Sequence, residues 1–475
     1  MSTIAEQLAD FATGPALLND AGLGARMVPY ALDTLAVILA GSAEPSSQPV
    51  ARTIIEVTGK AEATLIGHGH AAAAWDAALV NGAAAHALEL DDDHRIAVLH
   101  PGAVIAPAAL AAAEAAGASG ATFLRAMLAG YEVTCRLGQV FRGSQFYHGV
   151  HPTSLCGVFG AAAAACVAMG LGRDTFVNAL GIAGTQASGL TEWRTAGTWI
   201  KRLHPGRAAQ TGVLSARLAR HGFTGPATIF EGKGGFFRAY SFGEPIDAEA
   251  MTRDLGRTYS AFGTAVKPYP CCRFGHGAID LAIHAKQEGI RADEIVGIGA
   301  RIYRTDVLTY HSEPKDPVDA QFNLPYMIAV ALLRGQVGLE DFTEKAIRAK
   351  QMLDLCRKVA VTDDPQFTAD YPDIYKVELV VDLADGTRKI FFSDCPNGDP
   401  EAVRYRNAPQ LFYDDARAKV ASMLAQCGFG DRVEALQARV EELPSAVSLD
   451  PLCEILRSPA DRKAFPSRRA KSIEL

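Results

Sequence analysis

Alanine-dense stretches closed by glycine run through roughly the first 260 residues, and they restrict the chain to close-packed helices. Residues 31–41, 71–88, 103–116, 122–138, 154–169 and 208–220 each have helical spacing and end on Gly or a polar break. Alanine is the strongest helix former, and its short side chain lets helix axes approach, so these segments predict a compact bundle. From about residue 262 the texture changes. Residues 295–303 and 375–383 are β-branched and aromatic, and 387–392 follows Asp385-Gly386, a hairpin turn signal. Helical spacing returns between them at 277–289 and 326–333, and again at 411–426 and 432–443. The predicted architecture is mainly α. A large helical domain covers 1–261 plus 396–475, and a smaller α+β lid domain, 262–395, is inserted into it.

Charge and composition exclude several classes. With 475 residues, 49% hydrophobic and 21% charged, the chain has ample material for a core, which rules out a disordered protein. A net charge of −7 is wrong for a nucleic-acid binder, so an anionic ligand must be held by local cations. The first 20 residues lack a basic stretch followed by an apolar one, and residues 103–116 carry Pro107 and Glu114 and are too short to span a bilayer. Nine cysteines with no Cys-x-x-Cys pair, and Cys271 adjacent to Cys272, fit free thiols in a soluble, cytoplasmic protein.

Three His-Pro dipeptides, at His100, His151 and His204, each stand before a helical segment. They read either as plain helix-opening turns or as imidazoles at helix mouths, where the dipole disfavours the imidazolium and leaves a base. The run His86-Ala-Leu-Glu89-Leu-Asp91-Asp92-Asp93-His94 precedes His100. On a helix His86 and Glu89 would share a face. The run reads as a charged helix end, as a metal site, or as carboxylates that tune a histidine; no His-x-x-x-His or His-Glu-x-x-His spacing supports the metal. Lys201, Arg202, His204 and Arg207 form one cation cluster, and Lys267, Arg273 and His276 another. Single lysines are usually solvated, but grouped cations can clamp the carboxylates of a small substrate. Residues 231–236 make a poor phosphate loop, and neither Gly-x-Ser-x-Gly nor a dinucleotide fingerprint occurs. Cys271 and Cys272 read as buried, inert thiols ahead of nucleophiles.

Taken together, His86-Ala-Leu-Glu-Leu-Asp-Asp-Asp-His, His100-Pro-Gly-Ala, His151-Pro-Thr-Ser, Lys201-Arg-Leu-His-Pro-Gly-Arg, Lys267-Pro-Tyr-Pro-Cys-Cys-Arg and Gln321-Phe-Asn-Leu-Pro-Tyr326 resemble the MmgE/PrpD family. That family includes 2-methylcitrate dehydratase, cis-aconitate decarboxylase and iminodisuccinate epimerase. The resemblance implies a helical domain with an inserted lid, a homodimer, and no metal or organic cofactor. It implies catalytic roles for Glu89, His100, His151, Lys201, Lys267 and Tyr326. Two positions depart from the pattern: Glu89 stands where the decarboxylase and the methylcitrate dehydratases have aspartate, and Cys272 where the decarboxylase has a lid histidine.

The shared chemical problem is a carbanion beside a carboxylate, stabilised by fixed cations and helix N-termini. The expected assignment makes His151 the base and His100 the acid or polariser, tuned by Glu89 and Asp91 or Asp92. Lys201, Arg202 and Lys267 would bind carboxylates, with Asp91, Asp92, His204, Arg273 and His276 lining the substrate, and Tyr326 would donate a hydrogen bond as the lid closes. The expected activity is that of a cofactor-independent, 2-methylcitrate dehydratase-like hydro-lyase on a di- or tricarboxylate. The alternatives are an iminodisuccinate-type epimerase, a cis-aconitate-type decarboxylase, a metal-dependent hydrolase using His86, Asp91, Asp92, His94 and His100, and a non-catalytic polycarboxylate-binding protein.

Overall fold

The computed structural model describes residues 2–18, 20–57 and 59–459 and is mainly helical, with a small mixed sheet in its C-terminal half. Its residues divide into two compact units. One runs to Val266 and resumes at Tyr413; the other is Lys267–Phe412.

The first unit is built from Val28–Gly41 (α1), Ala74–Ala85 (α2), Gly102–Ala116 (α3), Gly120–Phe141 (α4), Pro152–Ala168 (α5), Arg173–Gly184 (α6) and Ile200–Arg220 (α7). Every residue of α5 is buried, as its unbroken run of Ala, Gly, Val and Phe requires of a helix with no polar face. Helices α3, α4, α6 and α7 pack around it. Glycine lets α2 and α7 approach closely. A Cβ on Gly206 would lie 2.3 Å from the Leu79 carbonyl oxygen, and one on Gly82 would lie 2.6 Å from Gly206 Cα. Gly206→Ala should therefore force the helices apart. The expected loss is about 1–3 kcal/mol in denaturant unfolding, and turnover should fall with it because α7 also carries Lys201 and His204.

Two local predictions are corrected here. The segment 71–88 is not one helix: His70–Ala72 pairs with Ala63–Leu65, and α2 ends at Ala85 with His86 as its C-cap. Glu89 then adopts φ 56°, in the left-handed region, so no helix continues through the acidic run and His86 and Glu89 share no helical face. His204-Pro205 does not open a helix either, because α7 already begins at Ile200 and takes Pro205 inside it. The other two dipeptides lie at helix starts, with His151 and Pro101 in the N-cap positions of α5 and α3.

In the second unit, helices His276–Gln287 (α8) and Leu324–Arg334 (α9) accompany a four-stranded sheet. Its strands are Ile295–Ile302 (β1), Val359–Asp363 (β2), Val377–Leu383 (β3) and Arg388–Ser393 (β4), in the order β2-β1-β3-β4. The Asp385-Gly386 turn closes β3 and β4 as an antiparallel hairpin, Asp382 opposite Arg388. Sequence reading misses β2, a five-residue edge strand that runs parallel to β1 and so depends on a distant partner. The unit extends beyond residue 395 because Asp280 accepts from the Asn397 backbone N–H at 2.8 Å and Arg273 donates to the Asn397 carbonyl at 2.7 Å. The chain returns to the first unit through helix Gln410–Gln426 (α10), where Lys419 donates to the Leu90 carbonyl and pairs with buried Asp33 of α1, both at 2.6 Å.

Candidate active site

Four imidazoles gathered in one place define the site, His86 and His151 buried and His100 and His204 partly exposed. His86 ends α2, His100 precedes α3, His151 caps α5 and His204 lies in the second turn of α7. Ring centroids are 5.1 Å apart for His86 and His100, 5.6 Å for His86 and His151, and 5.2 Å for His151 and His204. Lys201, in the first turn of α7, donates to the Glu89 carboxylate and stands 5.4 Å from the Trp193 ring centroid. Trp193 in turn meets the His151 ring edge to face at 6.3 Å. A lysine at a helix N-terminus is opposed by the dipole, and the buried carboxylate of Glu89 compensates it.

Hydrogen bonds set the orientation of each ring. His86 Nδ1 donates to Asp91 Oδ2 at 2.6 Å, both side chains being wholly buried. His86 Nε2 is therefore a bare lone pair, and it is buried with no hydrogen-bond partner. His100 Nδ1 donates to the Asp92 carbonyl at 2.7 Å, and Asp91 and Asp93 oxygens lie 3.7 and 3.6 Å from the same Nδ1. Thr153 at the start of α5 accepts from the His100 backbone N–H at 3.1 Å, tying the loop to the central helix. His151 and His204 share a bond between their Nδ1 atoms at 3.1 Å.

Burial governs the protonation states. It depresses His86 below the usual histidine value despite the opposing pull of Asp91. It pushes His151 far lower, helped by the neighbouring His86, His204, Lys201 and His100. His204 is brought down to about 4 by burial and by the charge of Lys201. At neutral pH these three rings are uncharged, and so able to accept protons, beside a lysine cation.

The predicted residues divide into three groups. The first unit brings together Glu89, Asp91, His100, His151, Lys201 and His204, and it adds His86, which the sequence offers only as a metal candidate. The signal for His86 was its place five residues before Asp91, which becomes readable only once that stretch is a turn. Asp92 and Arg202 turn elsewhere. Asp92 accepts from Tyr131 Oη at 2.7 Å and from the Gly102 N–H at 2.8 Å, so both its oxygens serve the core, and burial raises it to about 8. Arg202 donates to Ser46 Oγ at 2.8 Å.

Lys267, Arg273, His276 and Tyr326 belong to the second unit. Lys267 is fully buried. Arg273 lies 3.2 Å from His276 Nδ1 and donates to the carbonyls of residues 396 and 397, while His276 Nε2 faces the Cys271 carbonyl at 3.3 Å, so both serve internal bonds. Tyr326 sits in the first turn of α9, capped by Asn323, and its hydroxyl donates to the Asp341 carbonyl. Of the five residues of the metal reading, His86, Asp91 and His100 lie together and His94 and Asp92 are engaged elsewhere. His94 bonds the Ser260 carbonyl and the Ala97 N–H, and Asp92 is taken as above. Among the described residues no group of three or more His, Cys, Asp or Glu is arranged to hold a metal ion.

Comparison with known proteins matches residues 6–249 to the MmgE/PrpD N-terminal domain and residues 269–407 to the MmgE/PrpD C-terminal domain. A cis-aconitate decarboxylase-like protein of Aspergillus oryzae is 28% identical over 449 residues, covering 90% of this chain and 91% of the relative. The cis-aconitate decarboxylase of Aspergillus terreus is 26% identical over 459 residues, covering 90% of each chain. A 2-methylcitrate dehydratase of Cupriavidus necator is 29% identical over 237 residues, covering 46% of this chain and 47% of the relative.

Proposed function

The chain belongs to the MmgE/PrpD family, and from that premise we propose that it is a lyase releasing carbon dioxide from a small polycarboxylate, in the manner of the cis-aconitate decarboxylases. The observation that carries the reading is the cluster of His86, His100, His151 and His204 beside Lys201. Decarboxylation takes precedence over the dehydration expected from sequence, because similarity to the decarboxylases runs nearly end to end while the dehydratase match covers under half of each chain.

Loss of carbon dioxide breaks a C–C bond and leaves its electron pair on the substrate, delocalised toward a neighbouring carboxylate. Lys201 is suited to stabilise that charge, since a cation in a dry site acts far more strongly than one in water. A proton must then reach carbon, and an imidazole N–H of His151 or His100 delivers it. Arg202, which donates to Ser46 Oγ, would have to leave that bond before a substrate carboxylate could use it.

Incubating the purified protein with cis-aconitate in deuterated water should release carbon dioxide and place one solvent deuterium on the product carbon, seen by NMR. Loss or gain of water alone, or no change across a panel of citrate-like and succinate-like acids, would overturn the assignment.

A further inference from the structure

Successive residues of the acidic run are tied to different helices of the first unit. Glu89 accepts from Lys201 of α7, and Asp91 accepts from His86 at the end of α2. Asp92 accepts from Tyr131 of α4 and from the Gly102 N–H of α3. Leu90, between Glu89 and Asp91, offers only its backbone for a polar tie. Its carbonyl accepts from Lys419 Nζ of α10 at 2.6 Å, and the same ammonium lies 2.6 Å from Asp33 Oδ1 of α1. We propose that Lys419 is a positioning residue of this site: by holding the Leu90 carbonyl, it sets the Glu89 carboxylate on Lys201 and the Asp91 carboxylate on His86.

The peptide plane gives this tie its leverage. A donor that fixes the Leu90 carbonyl also fixes the direction of the Asp91 N–H, because the two belong to one planar unit. On one side, Glu89 is in the left-handed region at φ 56°, which an L residue keeps only where its surroundings hold it. On the other, Asp91 meets the His86 ring at 2.6 Å, and a small backbone rotation would break that bond. Glu89, Leu90 and Asp91 are all buried, so bulk water cannot take over from Lys419. The donor is itself enclosed. The Lys419 side chain is 7% exposed and that of Asp33 is wholly buried, so each charge compensates the other. An ammonium has three N–H donors, enough to serve Asp33 and Leu90 together, and its charge strengthens both bonds. Asp33 anchors the cation, and the cation anchors the loop from 329 residues away in the chain.

The importance of Lys419 for turnover rests on the lyase reading above, so one arm of the test needs no substrate. In protein labelled with nitrogen-15 histidine, the His86 Nδ1 proton, held against Asp91 in a short bond, should give a downfield resonance that His86→Gln removes. Lys419→Met alone would strand the buried charge of Asp33. It is therefore combined with Asp33→Asn and compared with Asp33→Asn alone, which keeps the ammonium donor. The double replacement should shift or broaden the resonance. With cis-aconitate, its kcat should lie about 10- to 100-fold below that of Asp33→Asn. An unmoved resonance, or none in the wild type, overturns the proposal, and a fall in unfolding stability alone would make Lys419 a helix-docking residue. A shifted resonance with equal kcat in the two variants would overturn its part in turnover. A shifted resonance with no turnover by the wild type would remove the proposed activity and leave the positioning of the two carboxylates standing.

Discussion

His151→Asn should lower turnover by about 10²–10⁴-fold with KM little changed, because it removes a positioned proton carrier and leaves the cations that bind substrate. Asparagine is chosen over alanine for a side chain that is buried at the N-cap of α5. It caps helices well, avoids most of the cavity, and leaves His204 a polar partner. The wild-type pH profile supplies a second measurement. Burial and the nearby cations place the His151 pKa well below the usual histidine range, so activity should persist through mildly acidic pH. No change is expected where an ordinary histidine titrates, because the His151 ring keeps one neutral form across that range. A rate that tracks an ordinary histidine titration, or a variant with wild-type kcat, would remove His151 from the reaction.

Lys201→Met has the second large expected effect, and it acts on folding as well as on turnover. Lys201 and Glu89 are buried partners, and deleting one charge leaves the other enclosed without compensation. The cost of breaking such a pair is about 3–5 kcal/mol, measurable by denaturant unfolding. Replacing both, Lys201→Met with Glu89→Gln, should recover much of that stability, since two neutral side chains of similar volume leave no stranded charge. Turnover should recover in neither variant, because the cation that stabilises negative charge on the substrate is gone. If the double replacement restores activity with stability, Lys201 holds the fold together and does no chemistry. Glu89 in its left-handed conformation adds a reason for the arrangement: a strained backbone at this point is kept where the carboxylate must reach the first turn of α7.

Much of the helical fold was legible because alanine period and glycine stops are local signals. Residues 103–116 differ from α3 by one position, and the 122–138 and 154–169 segments fall inside or alongside α4 and α5. The failures were also local in origin. Helical propensity suggested continuation through residues 86–88, but the short bond from His86 to Asp91 closes a turn there. Pro205 reads as a helix start, yet it lies inside α7 past the first turn, where it contributes no backbone N–H to the helix. The edge strand β2 carries only five residues of weak pattern, and its pairing with β1 spans about sixty residues of chain.

The sequence by itself determined the architecture, the family and the set of residue types from which a site could be made, because periodicity, turn chemistry and separated motifs are written along the chain. Only the tertiary structure decided which of those residues meet. Three adjacent aspartates look alike in one dimension, yet Asp91 faces His86, Asp93 lies near His100, and Asp92 turns to Tyr131 and Gly102. The choice depends on where α3, α4, α5 and α7 bring partners from 10 to 112 residues away, and on which ring nitrogen each partner occupies. Hydrogen bonds act over about 3 Å, so that selection follows from packing of distant segments and has no counterpart in local pattern.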